Sequence, residues 1–273
     1  MKIISWNIAH RKEPWYQLLD MQADIALLQE ASEPPPHIRS RIEVDTQPWI
    51  TCRPGKDSPW RTAVVKLSDN VDVEWIKPTP LGKAQSGQLA VSRPGTLSAA
   101  IVSENSGLSL MMISMYGLWE RPHELTKSSW IYADASVHRL ISDMSIFIGS
   151  QSGHQMLVAG DLNILYGYGE HGSQYWVSRY ATVFSRMEAL GLKFVGPQLP
   201  NGRQAYPWPA ELPASSKNLP TFHSIHQTPK TATRQLDFVF ASENIEDRMM
   251  VTALNQPDEW GSSDHCRILI EMK

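Results

Sequence analysis

Apolar positions along the chain gather into short runs broken by Gly, Pro, Ser and Asn. They include KIISWNI (2–8), ADIALLQE (23–30), TAVVKL (62–67), VDVEWI (71–76), LAVSR (89–93), LSAAIV (97–102), LSLMMISMYG (108–117), QMLVAG (155–160), QLDFVFAS (235–242) and CRILIEM (266–272). Their β-branched and aromatic content, with turn residues between them, predicts strands. Three stretches carry helical spacing instead. Trp15, Leu18, Leu19 and Met21 mark a short helix. Ile131, Ala135, His138, Ile141 and Met144 mark a longer one, with Ser128 or Ser129 as the cap and a close near Gly149. Val183, Phe184, Met187 and Leu190 mark a third, stopped by Gly191.

Many strands and few helices predict an α+β chain of two packed sheets with helices outside, rather than a βαβ array. Neither a repeat nor a linker divides the 273 residues, so residues 1–273 read as a single domain. From 196 to 221 the chain becomes Pro-rich and reads as one long surface loop, with Tyr206 and Trp208 exposed or half-docked. A loop of that length is either functional or a passive insertion.

Charge narrows the function only a little. A formal net charge of −3 does not mark a bulk nucleic-acid binder, although a local basic patch would suffice. Cys52 and Cys266 are too few for a disulfide framework and lie in no metal-ligand spacing, so both read as reduced, small apolar fillers. No run has the length of a membrane span and the N-terminus lacks a secretory signal, so the expectation is a cytoplasmic protein, read as a monomer.

The chemistry gathers where apolar runs end. LVAGDLNIL (157–165) ends a buried strand in Gly160, Asp161 and Asn163, which either form a turn or place reactive groups on a rigid platform. Asn7 and Glu30 finish two other runs, Asp237 lies within a fourth, and Asp264 and His265 precede the last. Together they supply what phosphate-ester hydrolysis requires. Glu30 and Asp264, with Asn7 assisting, are the hard oxygen ligands that Mg²⁺ takes, with Mn²⁺ as an alternative. Asp161 is the candidate base for the attacking water. Asn163, Asn7 and a protonated His265 donate to the phosphoryl oxygens, and Asp237 is the partner that fixes the imidazole of His265.

In order, IISWNI (Asn7), ADIALLQE (Glu30), SMYG (Tyr116), VAGDLNI (Asp161, Asn163), RQLDFVF (Asp237) and SSDHCRI (Asp264, His265) resemble the endonuclease/exonuclease/phosphatase superfamily. That superfamily includes exonuclease III-like enzymes, DNase I and the inositol-polyphosphate 5-phosphatases. The resemblance runs nearly end to end. It implies a four-layer αββα sandwich, two packed, mainly antiparallel sheets with outer helices, and a site at one end of the sheets. It also implies Mg²⁺-dependent hydrolysis, with Glu30 and Asp264 near the metal and Asp237 paired to His265. Three positions depart from the abasic-site branch, which carries a second-metal Asp where this chain has Ala9, a Lys at Ser32 and a Trp at Arg234. Tyr116 stands where DNase I and the 5-phosphatases usually show His; it either donates to a phosphate or packs as an aromatic.

Further substrate contacts are expected from Arg234, from Arg121 with His123 and Lys127, and from Trp176 in the aromatic run YGYGEHGSQYW (166–176). A solvated charged turn and simple loop packing explain the last two groups equally well. His10 and Arg11 also stand near enough to Asn7 to face substrate, whereas His223 and His226 read as surface residues. The leading expectation is a metal-dependent nuclease with a nucleic-acid substrate. A phosphoesterase acting on a small ester is the second, and a non-catalytic binding module the third.

Overall fold

The computed structural model describes residues 1–53, 55–104, 107–127 and 129–273. Two six-stranded sheets form its centre. One runs in the order β13 (Met249–Leu254), β14 (Arg267–Met272), β1 (Lys2–Asn7), β2 (Ile25–Ala31), β4 (Arg61–Lys66), β3 (Glu43–Val44). The other runs β11 (Leu192–Gly196), β12 (Asp237–Ser242), β10 (Met156–Asp161), β9 (Ser109–Tyr116), β8 (Leu97–Glu104), β5 (Val71–Ile76). Each sheet is antiparallel except for one central parallel pair, β1 with β2 and β9 with β10. β6 (Pro78–Pro80) and β7 (Leu89–Val91) pair separately.

The near-continuous apolar strands follow from burial on both faces. Successive side chains of a strand point to opposite sides. Ile3, Ile25, Leu27, Leu110, Met112, Leu157, Ala159, Val239 and Ala241 therefore meet between the sheets. Their alternates divide outward. Ile4, Trp6, Ala26 and Leu28 pack with Trp15 and Leu18 of helix α1 (Glu13–Asp20) and with Ile38 of the short α2 (Pro36–Arg39). Ile113, Met115, Val158, Phe238 and Phe240 pack against α3 (Asp134–Met144) and α4 (Gln174–Ala189). The result is four layers, helix, sheet, sheet, helix.

The helices differ from expectation at their ends. α3 opens at Asp134 with no capping side chain at Ala133, because Tyr132 is held extended by reciprocal backbone hydrogen bonds with Glu120 of 2.8 and 2.9 Å. Ser129 is thus no cap, and Ser128 lies outside the described residues. α3 ends at Met144 and passes into a 3₁₀ turn, Ser145–Phe147, before Gly149. α4 begins at Gln174 and absorbs the end of the aromatic run. In the Pro-rich loop Tyr206 is 80% exposed, while Trp208 is half-buried and donates Nε1–H to the Leu212 carbonyl at 3.0 Å. Cys266 is the buried filler expected, but Cys52 is exposed. No helix among the described residues is long and apolar enough to cross a membrane.

Candidate active site

The alternation that fills the space between the sheets with apolar groups turns polar at one end. Two residues beyond Ala159 on the same face comes Asp161, and two before Val239 comes Asp237. The same step leads from Met112 through Ser114 to Tyr116, and from Ile3 through Ser5 to Asn7. Register then sets Asp161 beside Asp237 on one side and Tyr116 on the other. Behind them Gln29 donates to the Ser114 hydroxyl at 2.9 Å, and Ser114 donates to the Leu28 carbonyl at 2.7 Å, which ties the two sheets together. Gly160 allows β10 to come this close to β9, since a Cβ there would lie 1.9 Å from the Met115 carbonyl oxygen.

Glu30 needs a special device, because the residue after inward-facing Gln29 should point out. The β2–β4 register shifts between Leu28 and Ala31, and Glu30 takes a left-handed φ of 47°. Such a bulge re-aims a side chain at modest cost in strain. Asp264 and His265 come from the turn before β14, held by Trp6 Nε1–H donating to the His265 carbonyl (2.9 Å) and the Ser263 hydroxyl donating to the Asn7 carbonyl (2.7 Å).

At the centre, His265 Nδ1 lies 2.8 Å from Asp237 Oδ2, and His265 Nε2 lies 3.6 Å from Asp161 Oδ2. Asp161 Oδ2 also accepts from the amides of Asn7 (2.9 Å) and Asn163 (3.2 Å), and its Oδ1 accepts the Asn163 backbone N–H (2.9 Å). Burial disfavours the charged form of Asp161 and neighbouring Asp237 adds repulsion. These outweigh the attraction of His265 and the amide donors and raise the carboxyl to about 7. Burial works against the imidazolium of His265 too, but Asp237 and Asp161 outweigh it and push the ring up to about 10. Glu30 goes the other way. Its burial is overcome by hydrogen bonds from His10 (3.3 Å), Tyr116 and Asn7 (3.4 Å) and by the charge of His265, so it lies below the ordinary carboxylate value.

These groups open on one cavity of about 890 Å³. Asn7, Glu30, Tyr116, Asp161, Asn163, Asp264, His265 and Arg234 all line it, as do His10 and Arg11, and Asp237 lies behind His265. Asp264 and Glu30 both act on the charge of His10, which puts the two carboxylates on the same side of the molecule. Asp161, Asp237 and His265 each offer a ligand atom within 4.8 Å of the others, a spacing that could hold a metal ion. One buried oxygen of Asp237 has no hydrogen-bond partner.

One expected substrate contact is corrected. Trp176 is only 3% exposed; it lies in α4, stacked on Tyr180 at 5.6 Å, and its face is taken up by the core. Arg121 is exposed but off the cavity wall, as are His123 and Lys127. The rest of the aromatic run is mostly packing, with Tyr168 buried and Tyr166 against Phe184 and Phe194. Arg234 is on the wall but spans to Glu170 at 2.9 Å. His223 is half-buried against Trp260, while His226 is exposed.

Other residues were not foreseen. Thr221, at the end of the Pro-rich loop, accepts the backbone N–H groups of Leu236 (3.0 Å) and Asp237 (3.1 Å), and the ring of the next residue, Phe222, lies 4.9 Å from that of His265. The loop therefore has a structural part in the site, which no spacing in the sequence announced.

No protein-family model and no curated protein sequence matches the chain. Solved structures do. The catalytic domain of Xenopus laevis APE2 is 16% identical with a TM-score of 0.64, over 100% of this chain and 92% of that one. An AP endonuclease from Leishmania major is 14% identical with a TM-score of 0.63, over 100% and 87%. A 3′ phosphatase from Neisseria, bound to a product DNA hairpin, is 14% identical with a TM-score of 0.57, over 100% and 99%. At these identities the likeness is one of fold alone: the two-sheet sandwich of this chain is shared with these solved structures.

Proposed function

We propose that this chain is a metal-dependent phosphoesterase that hydrolyses phosphodiester bonds of nucleic acid. The observation that carries the reading is the pairing of a proton-handling cluster, Asp161 with His265 and Asp237, with the ionised Glu30 across one cavity. Likeness in fold to an AP endonuclease and to a DNA-bound 3′ phosphatase supports the choice of substrate.

In this reading Asp161 takes the proton of the attacking water, for which a carboxyl near neutrality is well matched. Asn7, Asn163 and the Nε2–H of His265 donate to the phosphoryl oxygens as charge builds on them. Asp237 keeps His265 oriented and cationic. The trio Asp161, Asp237 and His265 is already compensated by the proton on the imidazole, which would have to leave before the ring could bind a metal. The hard oxygens of Glu30 and Asp264 on the cavity wall, with Asn7 beside them, fit Mg²⁺ better, and Mn²⁺ second. A divalent ion held there supplies Lewis-acid polarisation of a phosphoryl oxygen. Ala9, Ser32 and Arg234, the last tied to Glu170, argue against specialised abasic-site cleavage.

The test is incubation with Mg²⁺ or Mn²⁺ against plasmid, single-stranded DNA, RNA and small phosphoesters, with Asp161→Ala and His265→Ala as controls. Metal-dependent cleavage of nucleic acid, lost in both variants, is the expected result. Turnover of small esters alone would move the assignment to a small-molecule phosphoesterase, and no turnover at all to a binding module.

A further inference from the structure

Asp161 and His265 lie at the floor of the cavity with Asp237 behind them, each no more than 4% exposed, so a phosphate must descend between its walls to reach Asp161 and His265. One wall is aromatic and takes no part in the chemistry above. The segment between β9 and α3 presents Trp119 (55% exposed), Trp130 (43%) and Ile131 (44%) to the cavity. The rings of His171 and Trp176 brace Trp130 at 5.8 and 5.5 Å. A cluster of large apolar side chains left in water beside a reactive site marks a surface that a ligand covers.

Charge and size narrow the ligand. Among the described residues the permanent cations that line the wall are Arg11, Arg53 and Arg234, and no lysine lines it. Arg234 is engaged by Glu170, and Arg11 donates to the Ser262 carbonyl at 2.7 Å. Binding a duplex depends on neutralising many phosphates, which this wall does not offer. Stacking on tryptophan needs few cations and accepts any base. A volume of about 890 Å³ is that of a pocket for a small molecule, with room for a nucleotide or two.

Resting on the nuclease reading above, we propose that the site takes an unpaired nucleotide, its base stacked on Trp119 and Trp130 while its phosphate is lowered to Asp161 and His265. Duplex is then cut only where a nucleotide has left the stack.

The experiment compares steady-state cleavage of a labelled single-stranded oligonucleotide, the same sequence as duplex, bis(p-nitrophenyl) phosphate and phospholipid vesicles. Single strand is expected to exceed duplex in kcat/KM by at least about tenfold. Trp119→Ala and Trp130→Ala should each raise KM for single strand by about tenfold and hold most of kcat, with Phe at either position restoring much of the loss. Binding of the same oligonucleotide to His265→Ala protein should weaken in step when either tryptophan is also replaced. Both tryptophans are partly exposed, and thermal melting checks that each variant folds. Tyr206→Ala, 80% exposed and off the cavity wall, should leave every value unchanged. Equal rates on duplex and single strand, or tryptophan variants with an unaltered KM, would overturn the proposal while leaving the nuclease reading in place. Preference for the vesicles would give the aromatic wall to acyl chains and overturn it too. Cleavage of the small ester with neither oligonucleotide touched would remove the nuclease reading itself.

Discussion

Each sheet sends one carboxylate into the cavity from an equivalent place, the end of its central parallel pair. Glu30 comes from the β1–β2 pair and Asp161 from the β9–β10 pair. Their surroundings drive them apart. The Glu30 side chain is 19% exposed, collects donors from His10, Tyr116 and Asn7, and stays ionised. Asp161 is buried beside a second carboxylate and is raised towards neutrality. Two carboxyl groups whose environments separate their proton affinities divide the labour of acid–base chemistry. On this reading the first sheet's carboxylate serves a cation and the second sheet's serves a proton.

The largest effect should fall on that division. Asp161→Asn is expected to lower the rate by about 10²–10⁴-fold, with Mn²⁺ affinity, read by isothermal titration calorimetry, nearly unchanged. Glu30→Gln should weaken Mn²⁺ binding by at least about tenfold, and saturating ion should recover part of the lost rate. If both variants lose metal affinity alike, the two carboxylates share one role and the comparison fails.

Gly160→Ala attacks one side alone. The added Cβ would meet the Met115 carbonyl, so β10 must move off β9 at a cost of about 3 kcal/mol in denaturant unfolding. Asp161 moves with β10 whereas Glu30 does not. The variant should therefore lose rate while keeping its Mn²⁺ affinity.

A proton reading sharpens the second side. Because the folded value of His265 lies above its ordinary 6.5, protonation of this ring stabilises the fold fully below 6.5, and that contribution fades as pH climbs through about 10. NMR of the metal-free protein should find the ring cationic across pH 7–8. Asp237→Asn removes the carboxylate at 2.8 Å and should bring the titration down towards the ordinary range. His138 is the internal reference. Burial and the nearby Arg186 hold it below 6.5, so it should be neutral where His265 is charged.

How much of this was legible depends on the forces that set each position. Asn7, Asp161 and Asp237 interrupt apolar alternation, so their place at strand ends could be read from the chain. Placing them on the inner face needed register, which comes from strand pairs as far apart as β1 and β14. Glu30 was found by its residue type, but the bulge that turns it inward leaves no local mark. Trp176 follows Gly-rich YGYGEHG, which resembles a loop in the sequence, while tertiary packing makes a helix of the residues from Gln174 onward. Thr221 and Phe222 reach the site across the fold, and no period in a Pro-rich segment records that.

The smallest predicted effect concerns the cations. Arg121 was expected to contact substrate because it lies only five residues beyond Tyr116 in the chain. In space it is exposed and off the wall, where solvent and salt screen its charge. Arg121→Ala should thus change kcat/KM on an oligonucleotide by no more than about twofold, consistent with the small worth of an exposed charge. Arg234→Ala should do more, since it also strips Glu170 of its partner and leaves an uncompensated carboxylate on the wall beside the phosphate path. Its signature is a raised KM that Glu170→Gln in the same chain partly reverses. If Arg121→Ala proves the more damaging, the segment that carries it closes over the cavity during turnover, and the division between two sheet-borne carboxylates is only part of the site.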